Sequence, residues 1–335
     1  MSNDVIPTAA AETRGRPPYV IMLPVFNDWP ALRKLLADLD GVLAGHGLTA
    51  RVLIVDDASS TPAAADFPGG PYLALHSLEI VELRRNLGHQ RAIAIGLAYV
   101  EAHVPCEAVV VMDSDGEDAP RDVPRLLAAY RAAGEKAIVF AERTKRSERL
   151  TFRVFYQLYQ LLYRALTGQW ARFGNFSVVP ATRLKSLVVV SELWNHYTAA
   201  VVKSRQPMVT VPTARATRLA GASSMNFVNL VIHGMSALSV QSDAIGVRLL
   251  AGTTGLILFA LGGLAAVIGV RLFTDLAIPG WATYTAGVFC VVLLQAVMFF
   301  VVFSFLTLAG RQGATFLPLR DYAYFIGRIT PLSPK

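Results

Sequence analysis

Asp113 and Asp115 stand one residue apart, after the apolar run from Ala108 to Met112 and before the turn-forming stretch 116–120 (GEDAP). Two carboxylates so placed at the end of a buried strand can hold a hard divalent cation that also carries phosphates. A turn-capping aspartate has the same local sequence, so the triplet alone leaves both readings open. Three further polar clusters follow apolar runs. Asn27 and Asp28 follow the run from Tyr19 to Val25. Asp56 and Asp57 follow Arg51 to Val55, and Asn86 follows Leu78 to Leu83.

The elements between these clusters alternate. Leu32, Leu35, Leu36, Leu39 and Leu43 have helical spacing, as do Ile93, Leu97 and Val100. Val123 to Ala133 reads as a further helix and Ala137 to Ala141 as a fifth strand. Strands alternating with helices predict a mainly parallel sheet covered on both faces. Ligands of such sheets collect at the C-terminal strand ends, where all four clusters fall.

The chain has 335 residues, 53% of them hydrophobic, and a mean hydropathy of +0.44. The excess is concentrated. No charge interrupts Leu249 to Val270 or Leu276 to Gly310, and each run is long enough to cross a membrane as a helix. Arg248, Arg311, Arg320 and Arg328 flank the pair, which predicts both ends of the hairpin on the cytoplasmic side. Met1 to Pro18 lacks an apolar centre, so no cleavable signal peptide is expected. The predicted arrangement has a disordered tail (1–18), an α/β domain (19–225) and an amphipathic juxtamembrane helix (226–246). Two transmembrane helices follow (247–310; about 249–271 and 282–308), then a cytoplasmic C-terminal tail (311–335). The aromatic-rich helix from Phe152 to Leu166 suits either a core or a membrane interface. Cys106 and Cys290 imply no disulfide or metal framework. The net charge of +7 clusters near 143–153, 203–218 and the membrane flanks. That placement suits anionic lipid or phosphorylated substrates and argues against nucleic acid.

Four ordered segments resemble family 2 glycosyltransferases of the GT-A fold: 20–28 (VIMLPVFND), 52–60 (VLIVDDASS), 85–96 (RNLGHQRAIAIG) and 113–120 (DSDGEDAP). The last is similar to the DADLQDPP segment of the polyprenyl-phosphate branch, which includes the dolichol-phosphate mannosyltransferases. The resemblance implies a nucleotide site formed by Pro24, Val25, Asn27, Asp28, Asp56, Asp57, Asn86, Gly88, Arg91 and Asp113. It implies Mg²⁺ or Mn²⁺ on Asp113 and Asp115, and catalytic roles for Asp115, Asp118, Arg143 and Arg146. Glu117 stands where the family has Gln and is a third candidate metal ligand. Arg143 and Arg146, supported by Arg153, would clamp a lipid phosphate. The segment 218–225 (RLAGASSM) matches the family's acceptor motif at Arg218, Gly221 and Ser223, whereas Ser224 and Met225 replace its Lys and aromatic residue. Segment 174–180 (GNFSVVP) is similar to the strand before the family's acceptor helix.

The function implied is an inverting, metal-dependent transfer of sugar from a nucleoside-diphosphate donor to a polyprenyl phosphate. It would take place at the cytoplasmic face of a bacterial-type inner membrane, with a homo-oligomer left open. Two alternatives are retained. One is transfer to a glycan or glycolipid hydroxyl, with Asp118, Glu192 or His196 as base; the other is an inactive membrane adaptor. Glu192 and His196, four residues apart on an expected helix, also read as a surface Glu and a satisfied core His.

Overall fold

A computed structural model describes residues 17–64, 67–143, 150–168, 173–221, 227–274, 278, 280–312 and 316–332. The chain divides into two compact units. One comprises 1–153, 172–240 and 315–335; the other comprises 154–171 and 241–314.

The first unit begins with β1 (Tyr19–Val25), α1 (Trp29–Gly45), β2 (Ala50–Asp56) and β3 (Leu75–Leu83). It continues through α2 (His89–His103), β4 (Ala108–Val111), α3 (Val123–Ala132) and β5 (Ile138–Arg143). After α4 (Leu150–Thr167) come β6 (Ser177–Pro180), α5 (Ala181–Leu187), α6 (Tyr197–Lys203), β7 (Met208–Thr213) and α7 (Phe227–Val240). The strands form one eight-stranded sheet, ordered β7-β5-β6-β4-β1-β2-β3-β8. The last strand, β8 (Ile326–Leu332), comes from the C-terminus. Only β6 and β8 run against the other six. The mainly parallel α/β architecture of the GT-A class is therefore present.

Period-two alternation explains how the sheet fills both faces. Tyr19, Ile21, Leu23 and Val25 of β1 pack with Leu32, Leu35 and Leu39 of α1 and Leu126 of α3. Val20 and Met22 face the other way, against Ile93 and Leu97 of α2 and Tyr197 of α6. At Gly96 of α2 an added Cβ would lie 2.8 Å from Val55 Cγ2 and 3.0 Å from Met22 Sδ. The missing side chain lets α2 approach the sheet closely. Its N-terminus meets the end of β2, where Asp57 accepts from Gly88 N at 2.8 Å.

The segment expected as a C-terminal tail is part of this fold. Residues 326–332 pair antiparallel with β3, as Val81 with Ile329 and Ile80 with Thr330. Before it, α10 (Pro318–Asp321) docks through Leu319 N to Val188 O at 3.0 Å. The Tyr322 hydroxyl lies 2.7 Å from His103 Nε2 at the end of α2. Phe316 and Phe325 pack on Trp194, with ring centroids at 3.8 and 5.1 Å. An exposed β3 edge would leave a row of unpaired amides and carbonyls, and β8 covers it.

The second unit contains the remainder of α4 with α8 (Ser242–Phe273) and α9 (Trp281–Gln312). Both long helices are apolar, and little of either is buried. Thirty-two residues of α8 extend about 48 Å. Gly263 admits the Phe289 ring where a Cβ would sit 2.3 Å from it, so the two helices meet closely. Arg248 donates to Ala165 O at 2.8 Å, placing a cation on the carbonyl end of α4. The break between α7 and α8 falls at Gln241, before the expected boundary at 247.

Gly96→Val should overpack the α2–sheet contact and lower stability by about 1–3 kcal/mol. Thermal unfolding of the purified protein measures this, and an unchanged midpoint would refute the close-approach reading.

Candidate active site

The register of three strands sets the site. Val25 of β1 is level with Asp56 of β2, and Met22 of β1 with Val111 of β4. Asp28, Asp57 and Asp113 therefore emerge from neighbouring strand ends. β7 runs parallel to β5 and delivers the segment after Thr213 to the same edge.

The turn from Asp113 to Asp118 is held by its own carboxylates and amides. Asp118, almost fully buried, accepts from Asp113 N at 3.0 Å. Asp115 Oδ1 accepts from Glu117 N at 2.9 Å. Gly116 adopts φ +85°, and an added Cβ there would sit 2.4 Å from Leu219 Cγ. Leu219 fills the space that glycine leaves. The segment 215–219 is stapled to this turn by Ala216 N to Glu117 O and Leu219 N to Asp115 O, both 2.9 Å.

Two arginines on that segment complete the charge arrangement. Arg218 Nη1 lies 2.9 Å from Asp115 Oδ2, and its Nη2 contacts Asp28 Oδ2. Arg215 Nε donates to Glu117 Oε2 at 2.8 Å. Glu117, expected as a metal ligand, is therefore occupied by a guanidinium. The sequence signal of Arg215 is slight: a second arginine three residues before Arg218.

Other expected nucleotide residues divide by what they touch. Asp57 is spent on structure: Oδ1 accepts from Leu87 N at 2.7 Å and Oδ2 from Gly88 N at 2.8 Å. It fixes the turn into α2, where Gly88 takes φ +94°. Asp56 Oδ1 accepts from Ser59 N at 3.0 Å. Asn27 binds the 59–61 loop, accepting from Thr61 N at 2.9 Å and donating to the Ser60 hydroxyl at 3.0 Å. Pro24 and Val25 are buried in β1, and Asn86 is exposed at the strand end. Arg91 does not join the carboxylates; its guanidinium lies 5.1 Å above the Trp194 ring. Arg143 ends β5 and Arg153 lies in α4, but their side chains are outside the described residues, as are Arg146 and Ser223 altogether.

His89 also reaches the centre, with Nε2 3.1 Å from Asp113 Oδ1. Its only sequence signal is its position between Gly88 and α2. Burial works against its charged form, but Asp113, then Asp118 and Asp115, outweigh it and raise its pKa. Burial raises the pKa of Asp28, Asp56, Asp57 and Asp115. At Asp115 the Glu117 amide opposes this, Asp113 and Glu117 reinforce it, and Arg218 also opposes it. This edge concentrates negative charge that a cation relieves.

The residues proposed as a base for a hydroxyl acceptor are engaged. Glu192 Oε1 pairs with Lys203 Nζ at 2.7 Å and Oε2 accepts from the Ser191 hydroxyl at 3.0 Å. His196 Nδ1 accepts from Ala199 N at 3.3 Å and caps α6. The two do not share a helix, because 191–194 is a 3-10 turn and His196 precedes α6.

The C-terminal edge of the parallel sheet thus gathers Asp28, Asp113 and Asp115 with Arg215 and Arg218. The family model "Glycosyl transferase family 2" matches residues 20–193, just over half of the chain. The chain belongs to that family and is a glycosyltransferase. It is 25% identical over 277 residues to the "Uncharacterized glycosyltransferase YkcC" of Bacillus subtilis, covering 79% of this chain and 81% of that one. It is 25% identical over 316 residues to the undecaprenyl-phosphate 4-deoxy-4-formamido-L-arabinose transferase of Klebsiella pneumoniae, covering 92% and 88%. Among solved structures, glucosyl-3-phosphoglycerate synthase from Mycobacterium tuberculosis aligns with a TM-score of 0.48 and 15% identity, covering 73% of this chain and 86% of that chain.

Asp118→Asn keeps an acceptor for Asp113 N and should hold sugar transfer within about threefold, whereas loss of a general base would cost about 10²–10⁴. Initial rates with saturating substrates separate the two.

Proposed function

We propose that this enzyme transfers a sugar, with inversion, from a nucleoside-diphosphate donor to a polyprenyl phosphate at the membrane surface. The observation that carries this reading is the Asp113–Asp115 turn with the arginine-bearing 215–219 segment laid across it. Asp28 and Asp56 are the carboxylates placed to meet the nucleoside end, since carboxylates accept from ring N–H and hydroxyl groups.

A divalent ion fits Asp113 and Asp115. Asp115 already holds a guanidinium, so it accepts a cation at this position. Among the described residues no cluster of three or more His, Cys, Asp or Glu forms a closed metal cage. A donor set of one or two carboxylates suits Mg²⁺ or Mn²⁺, which takes further oxygens from substrate phosphates. Bound there, the ion would stabilise the negative charge of the departing diphosphate.

The acceptor phosphate is already ionised at neutral pH, so its oxygen attacks the anomeric carbon without prior proton removal. The new carbon–oxygen bond forms as the bond to the donor diphosphate breaks, and that electron pair leaves with the diphosphate. The engagement of Asp118, Glu192 and His196 favours this acceptor over a hydroxyl, which would need a base. The polyprenyl-phosphate transferase relative supports the same acceptor class. Arg143, Arg146 and Arg153 are proposed as its phosphate clamp, with Arg218 and Ser223 in support.

The apolar helices α8 and α9 support an integral membrane protein. β3 precedes this pair in the chain and β8 follows it, yet the two strands share one sheet. That pairing supports an arrangement with both ends of the hairpin on one side of the membrane. The flanking arginines favour the cytoplasmic side.

Membranes incubated with a panel of labelled sugar nucleotides and polyprenyl phosphate should yield an organic-extractable labelled lipid. Asp115→Ala should reduce this product about a hundredfold or more and abolish metal-dependent donor binding. Transfer to a soluble hydroxyl acceptor with no lipid product would overturn the acceptor class.

A further inference from the structure

We propose that Arg218 is a tethered counter-ion, which holds the metal-binding carboxylate while the donor is absent and is exchanged for the metal–diphosphate when the donor loads. The inference rests on the donor reading above and adds an order of events to it.

One guanidinium bridges Asp28 and Asp115, two carboxylates from different strand ends. Under the donor reading these are the nucleoside-side and metal-side carboxylates. A metal–donor held by Asp115 would compete with Arg218 for that carboxylate. All three side chains are no more than one-fifth exposed, so the bridge is shielded from bulk water.

The backbone of the same segment is fastened independently of the Arg218 side chain. Arg215 holds Glu117, Ala216 N and Leu219 N bond Glu117 O and Asp115 O, and Leu219 fills the space over Gly116. Lys34 Nζ donates to Leu219 O at 3.3 Å from α1. Arg218 can release its carboxylates by side-chain rotation while residues 215–219 stay in place. Glu117 then serves as an anchor through Arg215 and not as a metal ligand. That role suits an acidic residue where the resemblance has Gln. Once displaced, the guanidinium is available to an incoming anion. A phosphate acceptor therefore meets a free Arg218 only after the donor has bound, which imposes donor-first order.

The test uses full-length protein in detergent micelles, with Mn²⁺ alone as the probe and free Mn²⁺ followed by electron paramagnetic resonance. Removing the competitor in Arg218→Ala and Arg218→Gln should tighten Mn²⁺ binding about fivefold to tenfold, and Arg218→Lys should stay within about twofold of the wild type. Two neutral variants guard against a folding defect, which would weaken binding. Wild-type or weaker Mn²⁺ affinity in both overturns the exchange. Glu117→Gln should change Mn²⁺ affinity by less than about twofold, and a tenfold loss would make it a ligand and overturn its anchoring role. Absence of lipid-linked sugar from the wild type would refute the acceptor reading without altering these affinities, so the two failures are distinguishable.

Discussion

The organising constraint is negative charge gathered at one edge of a parallel sheet. The register of β2, β1 and β4 brings aspartates to adjacent strand ends, where burial raises their pKa values. Much of the surrounding structure answers that charge. Backbone amides before α2 take Asp57, and the amide of Asp113 takes Asp118. Arg218 and Arg215 take Asp28, Asp115 and Glu117, and His89 takes Asp113. The partners differ in how easily they can be exchanged. Amides in a folded turn are fixed, whereas a guanidinium on a long side chain can leave. Asp57 and Asp118 are held by fixed amides, whereas Asp115 is paired with an exchangeable guanidinium, which is why the proposed cation is assigned to it.

The difference between Asp56 and Asp57 shows what local sequence cannot resolve. Both follow the same apolar strand and either could face a nucleotide. The preference is decided by the turn into α2, where Leu87 N and Gly88 N need acceptors and only Asp57 meets them. Arg218 raises the same problem over a longer distance. It is about a hundred residues from Asp115 and reaches it because β7 pairs with β5. Glu192 and His196 looked like a helical pair by spacing alone, yet a 3-10 turn separates their roles.

The strands were legible where apolar runs were uninterrupted. Tyr19–Val25 coincides with β1, and the run ending at Met112 contains β4. β7 and β8 were hidden for a chemical reason. Pro212 lies inside β7, and Gly327 and Pro331 lie inside β8. Proline reads as a strand breaker because it lacks a ladder donor, but an edge strand tolerates it. β7 and β8 are the two edges of this sheet. The same residues that obscure these strands in the sequence suit them to that position.

The placement of β7 and β8 also gives the apolar helices a structural consequence. The chain leaves the sheet from the β7 edge, continues through α7, α8 and α9, and rejoins it at the opposite edge as β8. The two edges are seven strand spacings apart, about 33 Å. A helix pair that only anchored the enzyme could be followed by any tail. Here the residues after it complete the sheet, cover β3, and contact the far end of α2 through Tyr322 and His103. The N-terminal turn of that helix is held by Asp57 beside the charged edge. If α8 and α9 each cross a membrane, as proposed, loss of one crossing would part β8 from the β3 edge. Under the membrane reading, the parity of the spans is a folding requirement of the catalytic sheet, and truncation before α8 would remove a strand along with the anchor.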